Sequence, residues 1–301
     1  VGKYGVNPHE SQSPRLQVWG HVVSEHCARP SHRHSVSTLN EFLRRDGVPG
    51  ISGVDTRAVI RRLRTRGTMK GGITISEPGE MLEMLSRMRH PEKDNLVGTV
   101  STKETREYRS GKARTVAVLD CGVKRDIIDA LRQRYDVIQL PFDTPASDVR
   151  GLDPDGVFIT NGPGDPSHPD LASTTVRAIA SLKDDYPMMG ICLGNQLLAL
   201  AFGAKTYKLK FGHRGANQPV GCGGRVYITS QNHGFAVDAD SALDAGLEVT
   251  HLNLNDGTVE GMRHRELPIM SVQFHPEAHP GPNDTNHLFD AFGPLMEGHD
   301  G

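Results

Sequence analysis

The sequence predicts an α/β protein in two parts: a smaller α+β region with its linker over residues 1–112, and a larger region over residues 113–301 built on a mostly parallel β-sheet. Three observations carry this expectation. From Thr115 onward, unbroken apolar strands alternate with amphipathic helices. The first hundred residues hold helices without that alternation. Between them, STKETREYRSGKAR (residues 101–114) is polar and has no apolar period, which reads as a connection.

In the first part, SVSTLNEFLRRDG and DTRAVIRRLRTRG read as helices stopped by Gly47 and Gly67. The second has Asp55 or Thr56 as N-cap and Val59, Ile60 and Leu63 on one side. Its five arginines, Arg57, Arg61, Arg62, Arg64 and Arg66, read as a solvated or partner-facing surface rather than a phosphate site. A third helix, EPGEMLEMLSRMRH, is expected to bury Leu82, Leu85 and Met88. In the second part the order is strand TVAVLD, helix KRDIIDALRQRY, strands DVIQLP and GVFIT, helix DLASTTVRAIASL, strand PMMGI, helix NQLLALAF. Such apolar runs belong to a sheet covered on both faces. RVYIT, LEVTHLN, TVEGMRH and IMSVQF then follow with little helix between them, so an antiparallel portion is expected before the last helix, DTNHLFDAF.

With 36 acidic and 34 basic residues, a net charge of -2 and 36% hydrophobic residues, the chain has no field that would gather nucleic acid or an anionic membrane. No run of about 18 apolar residues is present. Four scattered cysteines without a CxxC pair argue against a disulfide framework and a structural zinc site, and place the chain in a reducing cytoplasm.

Loops at the carboxyl ends of parallel strands carry chemistry. Three fall there: TNGPGDP, GICLGNQ and HPEAHPGP. In GICLG, Gly190 and Gly194 flank Cys192 at a strand-to-helix turn of the nucleophile-elbow form, where a helix N-terminus favours a thiolate. A small buried hydrophobe fits GICLG equally well. The balance moves with the company: a thiol nucleophile needs a base and the base an orienting acceptor. His275 and Glu277 supply that pair if the backbone stays extended through Pro276. His275 and His279 form no metal site, because Pro276 and Pro280 exclude the helix that would put them on one face. Gly162 and Gly164, around Pro163, can aim backbone N–H groups at phosphate or at an oxyanion.

GICLGNQLLALAFGA and HPE resemble the class I (triad) glutamine amidotransferases. GVDTRAVIRRLRTRG, TNGPGDP, FGHRGANQPV with SQNHGFAVD, and SVQFHPEAHPGPNDT are similar to the small, glutaminase subunits of carbamoyl-phosphate synthases. The resemblance covers nearly the whole chain. It implies a flavodoxin-like glutaminase domain preceded by the N-terminal domain of such small subunits. That domain is expected to be partial, because the family carries several tens more residues before VGKYGVNP. By position, the resemblance implies Cys192 as nucleophile, His275 as base and then acid, and Glu277 as its orienting partner. Gly162 and the Leu193 N–H would form the oxyanion hole, and Gly164, Gln196, Asn232, Gly234 and Phe235 would hold L-glutamine. It further implies a large-subunit partner that uses ATP, magnesium and bicarbonate, with no cofactor or metal in this subunit. Asn195 stands where the family commonly has histidine. Two rival expectations remain: a catalytically silent subunit of the same complex, and the glutaminase of another synthase.

Overall fold

Residues 115–120 run as one β-strand whose last five residues are all buried, because both faces of the sheet are covered. In this computed structural model residues 5–298 are described, so the start of VGKYGVNP lies outside the described residues. The chain forms two compact units dividing between Pro91 and Glu92.

In the first unit, β1 (His21–Val22) and β2 (Gly50–Ile51) pair in parallel. The helix Leu39–Arg45 starts at Thr38, whose side chain and Glu41 complete a reciprocal capping box. The helix Thr56–Arg66 is capped by Asp55, which accepts from Ala58 N at 2.9 Å, and ends at Gly67 with φ 84°. The Asp55 cap and the Gly67 stop are those expected from sequence. The third helix, Pro78–Arg87, differs from expectation in its packing. Leu82 is 67% exposed and Met88 47%, and of the three residues expected in a core Leu85 alone is partly buried. Among the described residues of this unit, Val23 and Leu43 are the buried hydrophobics, so the apolar side of this helix has no core to enter.

The second unit is organised by a ten-stranded sheet: β3 (Arg106–Tyr108), β4 (Thr115–Asp120), β5 (Asp136–Pro141), β6 (Gly156–Ile159), β7 (Met188–Ile191), β8 (Thr206–Cys222), β9 (Arg225–Val237), β10 (Leu247–Asn253), β11 (Val259–His264) and β12 (Ile269–Val272). The spatial order is β3-β5-β4-β6-β7-β12-β11-β10-β8-β9. The five central strands, β5 to β12, are parallel and the flanking pairs antiparallel. In chain order the parallel core reads 2-1-3-4-5, the flavodoxin-like winding. Side-chain alternation sends Val116 and Val118 to one face, against the helices Arg125–Arg132 and Leu288–Glu297. It sends Ala117 and Leu119 to the other, against Arg177–Leu182 and Leu193–Ala201. On the first face Phe158 stacks on Phe289 with centroids 6.4 Å apart.

The stretch read as a connection is not structureless. Arg106–Tyr108 adds an antiparallel edge strand to β5, and Thr102 N donates to Asp120 Oδ2 at 2.9 Å. A three-residue edge strand with two charged residues and one tyrosine carries too little apolar pattern to be seen in sequence. β8 was also not anticipated and β9 extends far beyond RVYIT. Pro219, several glycines and two register shifts conceal a long hairpin whose inner positions are polar.

Candidate active site

The loops after β4, β6 and β7 meet where the winding of the parallel core reverses, the place at which such sheets bind ligands. Cys192 follows β7 directly and caps the helix Leu193–Ala201 with φ 56° and ψ −102°, a strained backbone for a residue bearing a Cβ. Its N–H is fixed to Val272 O at 2.8 Å. The two glycines of GICLG are demanded by packing. A Cβ at Gly190 would lie 2.6 Å from Leu198 Cδ1 and 2.7 Å from the Gly194 backbone, and one at Gly194 would lie 2.2 Å from Ile159 O. The helix therefore sits directly against the sheet and lifts Cys192 above it.

Buried Cys121 gives the contrast. It is wholly enclosed at the end of β4, and burial, with the charge of Asp120 beside it, pushes its thiol well above the usual range. Cys192 instead stands beside His275, whose charged form it favours.

His275 and Glu277 come together, but not along an extended strand as expected. β12 ends at Val272, and His275 forms a single bridge to Ser230. The chain then turns, with Ala278 N donating to His275 O at 3.1 Å. Pro276 fits a turn as well as a strand, so sequence could not separate the two. The turn places His275 Nδ1 2.6 Å from Glu277 Oε1. Because a carboxylate only accepts, Nδ1–H donates and Nε2 is left for the thiol. Burial opposes charge on the imidazole, yet the charges of Glu277 and Cys192 outweigh it and raise its pKa to about 10. Burial likewise opposes charge on Glu277, and His275 and Lys124 outweigh it, holding the carboxyl below its ordinary range.

Lys124 was missed from sequence. Its Nζ stands 3.0 Å from Glu277 Oε1 and donates to Ala278 O at 2.5 Å. Asp120 Oδ1 accepts from Gly122 N and Val123 N, both at 2.8 Å, and Asn161 Oδ1 accepts from Lys124 N at 3.1 Å, so the loop that carries Lys124 is pinned to both neighbouring strands. A lysine just past the carboxyl end of a parallel strand was the available signal.

In front of Cys192 lies a pocket of about 240 Å³. Gly162, Gly164, Leu193, Gln196, Asn232, Gly234 and Phe235 all line it, together with Arg214 and His233, which sequence reasoning had not singled out. Gly162 cannot carry a side chain, since a Cβ would come 2.1 Å from Cys121 O, and Gly164 holds φ 98°. Leu193 opens the helix, so its N–H has no intrahelical acceptor. Gln196 donates through Nε2 to Phe235 O at 2.8 Å and Gln273 Oε1 at 2.9 Å, which ties β9 to the elbow helix. Asn195 does not line this pocket. It is fully buried, donating to Gln273 Oε1 at 3.2 Å and accepting from Ser271 Oγ at 2.9 Å. His279 takes no part in the constellation around Cys192 and pairs with Asp126. A larger cavity, about 480 Å³, lies in the first unit around His21, His26 and Leu43, with no cysteine in its wall.

Comparison with known proteins identifies the family. Residues 117–294 match the family model of class-I glutamine amidotransferases, and residues 1–73 that of the carbamoyl-phosphate synthase small chain, CPSase domain. The chain is 49% identical to a carbamoyl phosphate synthase small chain of Methanopyrus kandleri over 300 residues, covering 97% of this chain and 82% of that one. It is 46% identical to that of Staphylococcus epidermidis over 302 residues, covering 99% and 81%. Among solved structures, a protein of Thermoplasma acidophilum described as a putative GMP synthase subunit superposes with a TM-score of 0.53 at 24% identity, covering 62% of this chain and 95% of that one, a likeness of fold. With a small-chain match at its start and an amidotransferase match over its sheet, the chain belongs to the carbamoyl-phosphate synthase small chain family.

Proposed function

We propose that this chain is the glutaminase subunit of a carbamoyl-phosphate synthase and that it hydrolyses L-glutamine to glutamate and ammonia. The observation that carries the reading is the alignment of Cys192, His275 and Glu277 behind a pocket lined by every residue expected to hold glutamine. The Cys192 sulfur attacks the side-chain amide carbon. In this reading the N–H groups of Gly162 and Leu193 receive the oxyanion. His275, charged and held by Glu277, gives its proton to the departing ammonia, leaving a γ-glutamyl thioester. It then takes a proton from the water that cleaves the thioester, which restores the thiolate and the charged imidazole.

Ammonia released into bulk water at neutral pH becomes a cation and loses its nucleophilicity. The reading therefore includes a large-subunit partner that takes ammonia by a protected route and supplies the ATP, magnesium and bicarbonate chemistry, in arginine and pyrimidine synthesis in the cytoplasm. Family membership supports the subunit role. Among the described residues no helix is long and apolar enough to cross a membrane.

The test is glutamine-dependent carbamoyl phosphate formation with the cognate large subunit, for the wild type and Cys192→Ser. Retained glutamine use in the variant rejects the nucleophile. Wild-type activity on free ammonia alone identifies a silent subunit, and glutaminase activity that feeds a different synthase identifies the other rival.

A further inference from the structure

Beside the pocket, reaching it through His233 on the strand that also carries Asn232, Gly234 and Phe235, lies a buried polar group that the reaction above does not use. His213 on β8, His233 on β9 and Glu260 on β11 are 8%, 5% and 0% exposed. The β8–β9 hairpin sets His213 opposite His233 and β11 brings Glu260 to them, with one ligand-type atom from each within 4.8 Å of the others. The two imidazole rings stand nearly perpendicular with centroids 4.9 Å apart.

The outward bonds of both rings fix where their lone pairs point. His233 Nδ1 lies 2.7 Å from Phe235 O, which only accepts, so Nδ1 carries the proton and Nε2 the lone pair. His213 Nε2 lies 2.9 Å from Asp256 Oδ2, so in the neutral ring Nε2 carries the proton and Nδ1 the lone pair. Each lone pair then faces another acceptor: His213 Nδ1 meets Glu260 Oε1 at 3.3 Å, and His233 Nε2 meets Gln231 Oε1 at 3.1 Å. The orientation of Gln231 is set by Thr229, which gives its hydroxyl to Gln218 O at 2.9 Å and accepts the Gln231 amide at 3.1 Å. Glu260 Oε2 has no hydrogen-bond partner; the Gln231 amide gives one N–H to Thr229, and its other N–H is near enough to the carboxylate to favour its charge. The amide of Asn253 is the donor offered to this cluster, 3.1 Å from Glu260 Oε1 and 3.4 Å from His213 Nδ1. With both rings neutral the Asn253 amide faces five acceptor atoms, and the cluster is completed by positive charge, carried either as a proton on His213 between Glu260 and Asp256 or as a bound cation.

We propose that His213, His233 and Glu260 form a binding site for a divalent transition metal ion with the ligand preference of zinc. Two nitrogens and one carboxylate oxygen are the donor set zinc takes, with Gln231 Oε1 or water to complete four. A tetrahedral ion with ligands about 2.0–2.1 Å away holds them about 3.4 Å apart. Glu260 Oε1 is already 3.3 Å from His213 Nδ1 and 4.0 Å from His233 Nε2. Each histidine also has the outer partner typical of a ligand, a carboxylate for His213 and a backbone carbonyl for His233. Asp256, bonded to His213 Nε2, has 43% of its side chain exposed, so solvent lies one residue from the cluster. An ion at this place would clamp His233, and with it the strand that lines the glutamine pocket.

Cys192 with His275 could also hold zinc, so the test uses the full chain carrying Cys192→Ser. After loading with zinc and dialysis, about one zinc per chain is expected by elemental analysis, with a raised melting temperature. Cobalt(II) in its place should give tetrahedral visible bands without thiolate-to-cobalt charge transfer. Both His213→Ala and Glu260→Gln, checked for an unchanged circular dichroism spectrum, should weaken zinc by about 100-fold or more. No retained metal in the parent chain, a cobalt spectrum with thiolate character, or retention unchanged by both substitutions would each overturn the site. The parent-chain result decides even if a variant fails to fold, and none of these readouts depends on glutamine hydrolysis.

Discussion

Lys124 holds its ammonium 3.0 Å from Glu277 Oε1, so a cation from the loop after β4 anchors the carboxylate that orients His275. The two side chains meet only because the β4 loop and the turn after β12 converge over the carboxyl edge of the sheet. Their pairing gives the histidine partner a fixed position and a fixed charge.

Lys124→Met removes that anchor and leaves Glu277 facing burial with less compensation. Lys124 helps lower the Glu277 pKa, so its loss moves that pKa up. The acid limb of the kcat/KM profile for glutamine should shift to higher pH, with a loss of about ten- to a hundredfold at neutral pH. Lys124→Arg should restore part of it. A profile identical to wild type would remove Lys124 from the positioning of the pair.

Glu277→Gln takes away the charge that does most to raise His275. The imidazole pKa should fall from about 10 toward or below its ordinary value, as read by NMR of the ring. A histidine whose folded pKa lies above its unfolded value contributes stability that is complete below about pH 6.5 and is lost as pH rises toward 10. The melting-temperature gap between wild type and variant should accordingly narrow across that window.

Cys192→Ser should lower glutamine hydrolysis by on the order of 10⁴-fold or more, since the members of such a constellation act as a unit. Ammonia-driven synthesis by the assembled complex should persist. The melting temperature should change little, because serine fits the same buried space at the helix start.

Gly190→Val drives side-chain atoms into Leu198 and the Gly194 backbone. Overpacking of this kind costs about 1–3 kcal/mol, and here it pushes the elbow helix off β7. Glutamine use should disappear while the complex still uses ammonia. Loss of both activities, with a collapsed melting temperature, would mean a folding defect instead.

The parallel core, the Cys192 elbow and the glycines beside it could be read directly, because apolar strand runs and GxCxG are local patterns with local physical causes. The cap at Asp55 was similarly legible, since its bond to Ala58 spans three residues. Resemblance supplied the positions expected to hold glutamine, and each of them lines the one pocket in front of Cys192.

What sequence determined, then, was each residue's chemistry and the local turn that presents it: a thiol at a helix start, a histidine two residues before a carboxylate, small residues where backbones approach. What only the tertiary structure decided was proximity. Lys124 reaches Glu277 through the order of strands, and His213, His233 and Glu260 meet across β8, β9 and β11. The exposure of Leu82 and Met88 likewise depends on whether anything in the unit covers that helix. Periodicity tells which face of an element is apolar. It holds no information about what the fold brings against that face, because such contacts are set by strand order and register over long separations.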